Sequence, residues 1–500
     1  MYRTSKSFRF TVVFISCLAT LVLTFNWPSP LQRAQAATGG RMKAMAAAHY
    51  APSSAPQVAT TPGNETDLFA DSRDLGSDVV WPGTVRHRFV TVNVDPLTNA
   101  DRFRLNLFDD VSFIVVLDSM QSLKEANGPG AGDGFIWRGH IEDVEHGQVT
   151  FVVGPSTVAA NIFLPTGNDY ILRYAGDGTN TVHAVYDIDP KQLPEADDEG
   201  EHAGNVAKSG SNLPAAGDAT TSGFPNRDSG APVSPPAYKE TSNLYKSSAA
   251  GGDALSSCPL GCPNLIGVLV VYTPSARDVA GGSSALLDIV NLAIDYANIS
   301  YDNSDIDIRI YLSNFRLVRY TDVNPGTDLA RIKDPADGYM DIVHTWRNTM
   351  DYADLVTLIG CEPATPGPCS PATGVADLYN PSLPDPSAYG FSWLAVHSVS
   401  YILAHELGHN MGGGHARWNG CNGSAYYACG YGVDAGGFHT VMAYNCPSGY
   451  CKGVQHFSNP DVSYCDGGSC WPTGRSIWSS NSADNARMFN ISGPVISSWR

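Results

Sequence analysis

Alternating apolar and polar positions in the amino-terminal half of the chain predict β-strands. The alternation has a period of two and recurs with turn residues between the repeats, as in strands with one buried face. It is present in RHRFVTVNV, RFRLNLF, SFIVVL, FIWRGHI, QVTFVV and YILRY. Residues 76–195 are therefore predicted to form a small β-rich domain, and no catalytic arrangement of residues is visible within it.

The pattern in the second half changes to strands that alternate with helices. Apolar runs predict strands at VLVVYT (268–273), IDIRIYLSNFRLV and ADLVTLIG, while helical spacing marks LLDIVNLAIDYAN (286–298), DLARI and MDIVHTWRNTM. The stretch SWLAVHSVSYILAHELGHNMG is predicted to pass from a strand into a helix. This alternation predicts an α/β fold. From Cys421 onward the sequence predicts loops and turns in place of regular elements.

The segments outside these two regions differ in composition. Three basic residues precede an apolar stretch of sixteen residues, 10–25, and Ala34-Gln35-Ala36 follows, so residues 1–36 are predicted to be a secretory signal peptide. An uncleaved membrane anchor is the alternative, although the stretch is short for a span. Residues 37–75 are predicted to be a linker. Residues 196–257 are rich in Gly, Ser, Ala and Pro and predict an exposed, cleavable linker, which leaves 258–500 as the carboxy-terminal domain.

Overall composition narrows the possible partners. The chain has 43% hydrophobic residues, enough for real cores, while 49 Gly and 33 Pro argue for many turns and against a helical bundle. A formal net charge of -18 would repel nucleic acid and anionic lipid. We therefore expect no nucleic-acid or membrane partner, and a monomeric protein.

Cysteine usage agrees with export. Of the 11 cysteines, Cys17 lies in the predicted signal, and the other ten all lie at or after Cys258, as expected for an oxidising compartment. They occur as close neighbours, so the predicted disulfides join Cys258 with Cys262, Cys361 with Cys369, Cys421 with Cys429, Cys446 with Cys451, and Cys465 with Cys470. A zinc cluster of cysteines is the alternative.

The motif HELGHNMGGGH, residues 405–415, places three histidines around the end of a predicted helix. His405 and His409 are four residues apart and share a helix face, with about 6 Å between Cβ atoms. His415 would lie about 15 Å along a continued helix, too far to join them. Gly412 can adopt the left-handed conformation that ends a helix, so the order predicts a helix, a sharp turn, and three nitrogens around one zinc ion.

This arrangement is typical of a catalytic zinc site. Three neutral histidines leave one tetrahedral position for a water, whose pKa falls to about 7 on zinc. Glu406 lies beside the ligand face and is predicted to be the general base. Ordinary surface histidines on a helix are the alternative, and a motif of this length makes that reading less favourable. His344, His397, His439 and His456 have no ligand spacing and are interpreted as structural or surface groups.

At these residues the chain resembles the metzincin zinc endopeptidases, most closely the reprolysin-like branch and the bacterial peptidyl-Asp metalloendopeptidases. The resemblance rests on VLVVYTPSAR, AIDYANISYDNSDIDIRI, DPADGYMDIVHTWR, ADLVTLI and AHELGHNMG, with DRFRLNLFDD, FIWRGHI and QVTFVVGPSTVAANI upstream. It implies a metzincin-like α/β (α+β) catalytic domain with a twisted mixed sheet and an active-site helix. It also implies that residues 76–195 are a prodomain, with an independent binding domain as the alternative.

The resemblance assigns further site residues. Val441-Met442-Ala443-Tyr444 is similar to the methionine turn of the clan, in which Met442 would lie beneath the metal; a simple core methionine is the alternative. Tyr444 is similar to the tyrosine that contacts the metal or the transition state in the astacin and serralysin branches, and a packed, hydrogen-bonded tyrosine is equally compatible. Reprolysin-like enzymes usually have an aspartate after the third histidine, where this chain has Ala416.

The resemblance implies a secreted endopeptidase with a preference for aspartate on the leaving side. The pocket that receives this side chain needs a cation, for which Lys452, Arg475 and Arg417 are the candidates, unless each is a solvated surface charge. An extended substrate is expected to pair with the strand at 392–398 or with an edge strand at 374–379. No cysteine lies between Cys17 and Cys258, so no prodomain thiol can block the zinc.

If the enzyme cuts before aspartate, self-processing would occur in the linker at Asp218, Asp228 or Asp253.

Other functions fit the sequence less well. A thermolysin-like peptidase would take its third ligand from a distant glutamate, which His415 makes redundant. A secreted adhesin or binding protein on the same scaffold without turnover is the alternative from another class, against which the intact motif argues.

Overall fold

The predicted strands of the amino-terminal half form a nine-stranded antiparallel sheet. The computed structural model describes residues 65–74, 76–77, 79–178, 181–193, 263–362, 369 and 373–500, all within one compact unit, Ala55–Arg500. The sheet order is β1-β2-β9-β8-β7-β6-β5-β4-β3. Its strands are β1 Phe69–Asp71, β2 Thr84–Val92, β3 Arg102–Phe108, β4 Val111–Ser122, β5 Phe135–Ile141, β6 Gln148–Val153, β7 Val158–Phe163, β8 Asp169–Tyr174 and β9 His183–Ile188.

This sheet closes on itself, since Leu68 N–H donates to Arg104 O and Arg104 N–H donates to Thr66 O, both at 3.0 Å. Its inner side chains form one hydrophobic core around Phe103, Trp137 and Phe151. Side chains on the other side of β9, among them Tyr186, belong to the main core of the second half. The sheet is therefore buried on both faces at β9, whereas strands with an exposed outer face show the apolar and polar alternation.

The second half is built on a five-stranded mixed sheet, in agreement with the predicted combination of strands and helices. The order is β11-β10-β12-β14-β13, in which all pairs are parallel except the antiparallel edge strand β13. The strands are β10 Asn264–Tyr272, β11 Ile308–Leu317, β12 Leu355–Gly360, β13 Gly374–Ala376 and β14 Phe391–Ala395. The prediction that the strand at 392–398 pairs with a substrate is wrong. Strand β14 already pairs with β12 on one side and with β13 on the other.

The described part of the chain contains eight α-helices. They are α1 Asp95–Asn99, α2 Leu123–Asn127, α3 Pro274–Val279, α4 Ser283–Asp302, α5 Pro325–Lys333, α6 Ile342–Thr345, α7 Val399–Asn410 and α8 Asn485–Ile496. Several begin at capping side chains: Thr273 Oγ1 accepts from Ala276 N–H at 3.2 Å before α3, and Asn324 Oδ1 accepts from Thr327 N–H at 2.8 Å before α5, as helix N-termini require.

The carboxy-terminal region is less irregular than predicted. It contains α8, although the sequence predicts only loops and turns there; Gly493 and Pro494 lie inside this helix and mask its pattern. The rest consists of short strands joined by turns, as expected. These strands are β15 Gly414–Ala416, β16 Cys429–Gly430, β17 Gly432–Val433, β18 Phe438–His439, β19 Lys452–Gly453, β20 Ser463–Asp466 and β21 Ser469–Pro472.

Helix α4 joins the two halves of the described chain. It is buried along most of its length because it lies against β6 and β7 on one side and α7 on another. Its polar residues face the amino-terminal sheet: Asp288 accepts from Thr157 Oγ1 at 2.5 Å, and Asp295 pairs with Arg138 at 2.6 Å. Burial raises the pKa of Asp288 to about 8, so it is held here largely in its neutral form.

Four predicted disulfides are confirmed. They join Cys361 with Cys369, Cys421 with Cys429, Cys446 with Cys451, and Cys465 with Cys470. The fifth predicted pair, the signal peptide and the linker at 196–257 lie outside the described residues. Among the residues that are described, no helix has the length and apolar content needed to span a bilayer.

Candidate active site

Helix α7 presents His405, Glu406 and His409 and ends directly after them. The end is set by glycine: Gly412 has a φ of +96°, a conformation that strains other residues. The N–H of Gly413 donates to Gly408 O at 2.9 Å, which closes the last turn as in other glycine-terminated helices. The chain therefore turns back at the point where the spacing of the motif requires it.

His415 is held on the returning strand. It lies in β15, which pairs with β16, and the disulfide of Cys429 with Cys421 ties that partner strand to the same loop. Gly414 is needed for close approach, since a Cβ there would lie 2.2 Å from the amide nitrogen of Gly423. Ala416, which follows the third histidine, is buried beside Gly430.

The three imidazoles converge on one point. The Nε2 atoms of His405 and His409 are 3.1 Å apart, those of His409 and His415 are 3.1 Å apart, and those of His405 and His415 are 3.2 Å apart. Within the described part of the chain this is the one group of three or more metal-binding side chains found together. A tetrahedral ion with bonds of about 2.0–2.1 Å requires nitrogens about 3.3 Å apart, so the spacing fits zinc.

The outer nitrogens of two ligands are bound to backbone carbonyls. His405 Nδ1 lies 2.8 Å from Val441 O, and His409 Nδ1 lies 2.8 Å from Gly413 O. A carbonyl only accepts, so each Nδ1 carries the proton and each Nε2 presents a lone pair to the common point. Lone pairs that face one another at 3.1 Å repel unless a cation lies between them. The donor set therefore fits a metal ion, and such outer-shell bonds orient metal ligands in general.

Met442 and Tyr444 lie at the same centre. Met442 is fully buried, and its sulfur packs against the helix at Gly408, where a Cβ would be only 2.4 Å away. The hydroxyl of Tyr444 is 2.6 Å from His415 Nε2. The turn that contains both residues also supplies Val441 O to His405, so this segment aligns one ligand and places a hydroxyl beside the nitrogens.

Glu406 lies in a space left by a glycine of the edge strand. It is fully buried, and a Cβ at Gly374 in β13 would be 2.5 Å from its Oε1 and 2.8 Å from its Cδ. The φ of Gly374 is not positive, so alanine is compatible with the backbone there. The position of the carboxylate thus depends on the absence of a side chain at residue 374.

We expect Gly374→Ala to lower kcat/KM for a peptide about a hundredfold while the metal stays bound. The added methyl group must displace the carboxylate of Glu406, and a displacement of about 1 Å can cost this much in rate. Steady-state kinetics with metal analysis of the same sample measures both quantities. Gly326→Ala is the control, because a Cβ there has no close neighbour. Unchanged kinetics in the Gly374 variant would show that the carboxylate is not constrained.

Of the three cations predicted for an aspartate pocket, only Lys452 lines the cavity at this site. A cavity of about 580 Å³ reaches His405 and Tyr444, and Lys452 lines it. Arg417 donates from Nε to Ser482 O at 2.9 Å, and Arg475 donates from Nε to the Tyr431 hydroxyl at 2.9 Å. Neither arginine is among the residues that line the cavity.

The remaining histidines do not join the triad. His344 Nε2 is 3.0 Å from Ile332 O, and His439 Nδ1 is 3.1 Å from Thr440 O. Burial lowers the pKa of His456 to about 4, so this side chain is neutral at pH 7. His397 lines the cavity together with His439 and His456.

Comparison with known proteins agrees with this geometry. Residues 262–473 match the Metallo-peptidase family M12B Reprolysin-like. This part of the chain is similar to the reprolysin-like metallopeptidases. The matched region, called the reprolysin-like domain below, comprises the five-stranded sheet, α7, the returning strand and the methionine-containing turn.

Named relatives match about half of the chain. A peptidyl-Asp metalloendopeptidase of Stenotrophomonas maltophilia (strain K279a) is 31% identical over 245 residues, which are 48% of this chain and 54% of the relative. One from Xanthomonas campestris pv. campestris is 32% identical over 242 residues, 48% and 53% of the two chains. The chain therefore spans about half the length of the curated relatives it matches. The solved metalloproteinase-II from Bacteroides fragilis is 12% identical, covers 61% of this chain and 78% of its own, and superimposes with a TM-score of only 0.30.

Several supporting residues of the reprolysin-like domain have no signal in the sequence. Gly374 is an ordinary glycine near a strand, and Val441 and Gly413 act through backbone carbonyls. Asn410, the last residue of α7, donates from Nδ2 to Asp377 O at 2.8 Å and to Phe391 O at 3.0 Å. It thereby ties the ligand helix to β14, beside the edge strand. The three histidines, Glu406, Gly412, Met442 and Tyr444 could be found without the fold, whereas these supporting contacts could not.

Proposed function

We propose that this protein is a secreted, zinc-dependent endopeptidase with a metzincin-like catalytic domain. The observation that carries the proposal is the meeting of three Nε2 atoms at the spacing of a tetrahedral zinc site, with Glu406 on the adjoining helix position. A zinc ion held by His405, His409 and His415 would supply a water of lowered pKa and polarise the scissile carbonyl.

The side chains around this point have distinct roles in the proposal. The carboxylate of Glu406 accepts a proton from the attacking water and later donates it to the leaving amine. The hydroxyl of Tyr444 donates a hydrogen bond to the oxyanion that develops on the carbonyl. Met442 supports the turn that orients His405, and Gly412 permits the return of the chain to His415.

The substrate is proposed to bind in extended form along β13. This strand lies at the edge of the five-stranded sheet, beside Glu406, and among the described residues no strand pairs with its outer side. Backbone hydrogen bonds at such an edge bind many sequences. A peptide added there would pass the carboxylate that activates the water.

The amino-terminal sheet is proposed to be the prodomain of this enzyme. It lines the cavity that reaches His405 and Tyr444, and Arg173 of β8 donates to Ser400 of α7 at 3.2 Å. It is proposed to follow a signal peptide at residues 1–36 and to be released by cleavage within 196–257. Latency then results from coverage by the sheet. The relatives named peptidyl-Asp metalloendopeptidases support a preference for aspartate on the leaving side.

The test is digestion of a defined protein by the purified full chain, with sequencing of the new amino termini. We expect internal peptide bonds to be cut, with aspartate as the first residue of most new termini. Cleavage at unrelated residues would contradict the aspartate preference and leave the endopeptidase assignment in place. A zinc-loaded sample that cuts no polypeptide would contradict the assignment itself, in favour of a binding protein.

A further inference from the structure

Lys452 makes a buried ion pair with a carboxylate from the other half of the chain. Its Nζ lies 2.8 Å from Asp169 Oδ1 at the start of β8 and 3.2 Å from Gly167 O in the preceding loop. The side chains of Lys452 and Asp169 are each only 13% exposed. The ammonium group thus donates to a carboxylate and to a backbone carbonyl of one short segment. A bound peptide that contains an aspartate would offer the same two kinds of acceptor.

This ion pair lies in the cavity that contains the proposed catalytic groups. Lys452 and Asp169 line the same space as His405 and Tyr444. Asp169 is the only carboxylate among the described residues that line it. The other Lys and Arg side chains that line the cavity, Arg173 in β8 and Lys191 just after β9, belong to the amino-terminal half, so the reprolysin-like domain contributes Lys452 as its one Lys or Arg among these lining residues.

Lys452 is also attached to the turn beneath the ligands. Its strand, β19, pairs in parallel with β18, and Phe438 is the Cα partner of Lys452. The N–H of Val441, in the turn that follows β18, donates to His456 O at 2.8 Å. The backbone of Lys452 is therefore held relative to His405 by backbone hydrogen bonds.

Each member of this buried ion pair needs an opposite charge beside it. Replacing a buried ion pair by apolar side chains is often neutral or stabilising, whereas removing one partner leaves an uncompensated buried charge. Departure of the amino-terminal sheet would therefore leave Lys452 in need of an anion within a partly closed cavity. A carboxylate of the substrate satisfies this requirement with a charge-assisted hydrogen bond.

We propose, on the basis of the peptidase function proposed above, that Lys452 is the specificity-determining residue that binds the aspartate side chain of the substrate. In the precursor, Asp169 occupies this position as an internal mimic of that aspartate. The amino-terminal sheet thus covers the site and also fills its selective subsite.

The first test compares two peptides that differ only by Asp or Asn on the leaving side, with full-chain preparations that have undergone their own processing. Wild type is expected to cleave the Asp peptide with a kcat/KM at least about tenfold higher, in keeping with a charge-assisted contact. Lys452→Met is expected to bring the ratio close to one, and Lys452→Arg to restore part of it. Arg475→Met is the control and should keep the wild-type ratio. A Lys452→Met enzyme with the wild-type ratio overturns the inference.

The second test needs no turnover. In a full chain that carries Glu406→Gln, the further change Asp169→Asn is expected to tighten binding of the Asp peptide about tenfold, because the internal carboxylate no longer competes. Adding Lys452→Met should remove this gain, and fluorescence anisotropy with a labelled peptide measures it. Equal binding in all three chains overturns the inference. Peptide cleavage by wild type without any dependence on Lys452 contradicts this inference alone, whereas Lys452-dependent binding with no cleavage contradicts the peptidase function alone.

Discussion

Replacing Glu406 with glutamine is expected to lower kcat/KM for peptide hydrolysis about a thousandfold or more while the chain keeps its metal. Glutamine has nearly the same shape and fits the space beside Gly374, but its amide cannot take a proton from water at pH 7. General base catalysis of this kind contributes about 10²–10⁴-fold, and the same group serves again as the acid for the leaving amine. Steady-state kinetics and elemental analysis of one preparation measure the two effects separately.

A matched control is available for this variant. Glu362 is the only other glutamate in residues 263–500 and lies next to the disulfide-bonded Cys361, so Glu362→Gln makes the same chemical change outside the proposed site. It should retain wild-type kinetics. Full activity in the Glu406→Gln chain would refute the role of this carboxylate. Loss of both activity and metal would instead indicate a structural role at the ligand helix.

Removal of the metal is expected to abolish hydrolysis and to lower the melting temperature. Without an ion, the three Nε2 atoms lie 3.1–3.2 Å from one another in a site where each imidazole is almost fully buried. An ion present at about a thousand times its dissociation constant contributes about 4 kcal/mol to folding. Chelation followed by calorimetry and a peptide assay measures the loss, and added zinc should reverse it.

Acid should weaken the same stabilisation. The histidines bind metal only as neutral imidazoles, so protons compete with the ion as the pH falls. The difference in melting temperature between loaded and chelated protein should therefore be largest near neutral pH and should shrink on the acid side. His415→Gln should resemble the chelated state, and His140→Gln, at an exposed position paired with Asp118, should resemble wild type. A chelated chain that keeps its activity would contradict a metal mechanism.

The secondary structure was predictable where the local pattern was strong. Six of the nine strands of the amino-terminal sheet, the long helix α4 and the passage from β14 into α7 all follow from periodicity in the sequence. Helix α8 was missed, because Gly493 and Pro494 interrupt its pattern and tertiary packing compensates for their low propensity. The local sequence could not show which of the two candidate strands is free to pair with a substrate. Only the order of strands in the sheet shows that β14 is interior and β13 is at the edge.

The sequence by itself predicted the three histidines that meet at one point, the glycine-terminated helix that brings His415 back, and the four confirmed disulfides, because each depends on residues within about ten positions of one another. The tertiary structure alone decided that the backbone carbonyl of Val441 holds His405, that Gly374 leaves space for Glu406, and that Asp169 meets Lys452. Glu406 and Gly374 are 32 positions apart in the sequence, and Lys452 and Asp169 are 283 positions apart. Such contacts arise when sheets and helices pack face to face, and packing of separate layers leaves no local pattern in the chain.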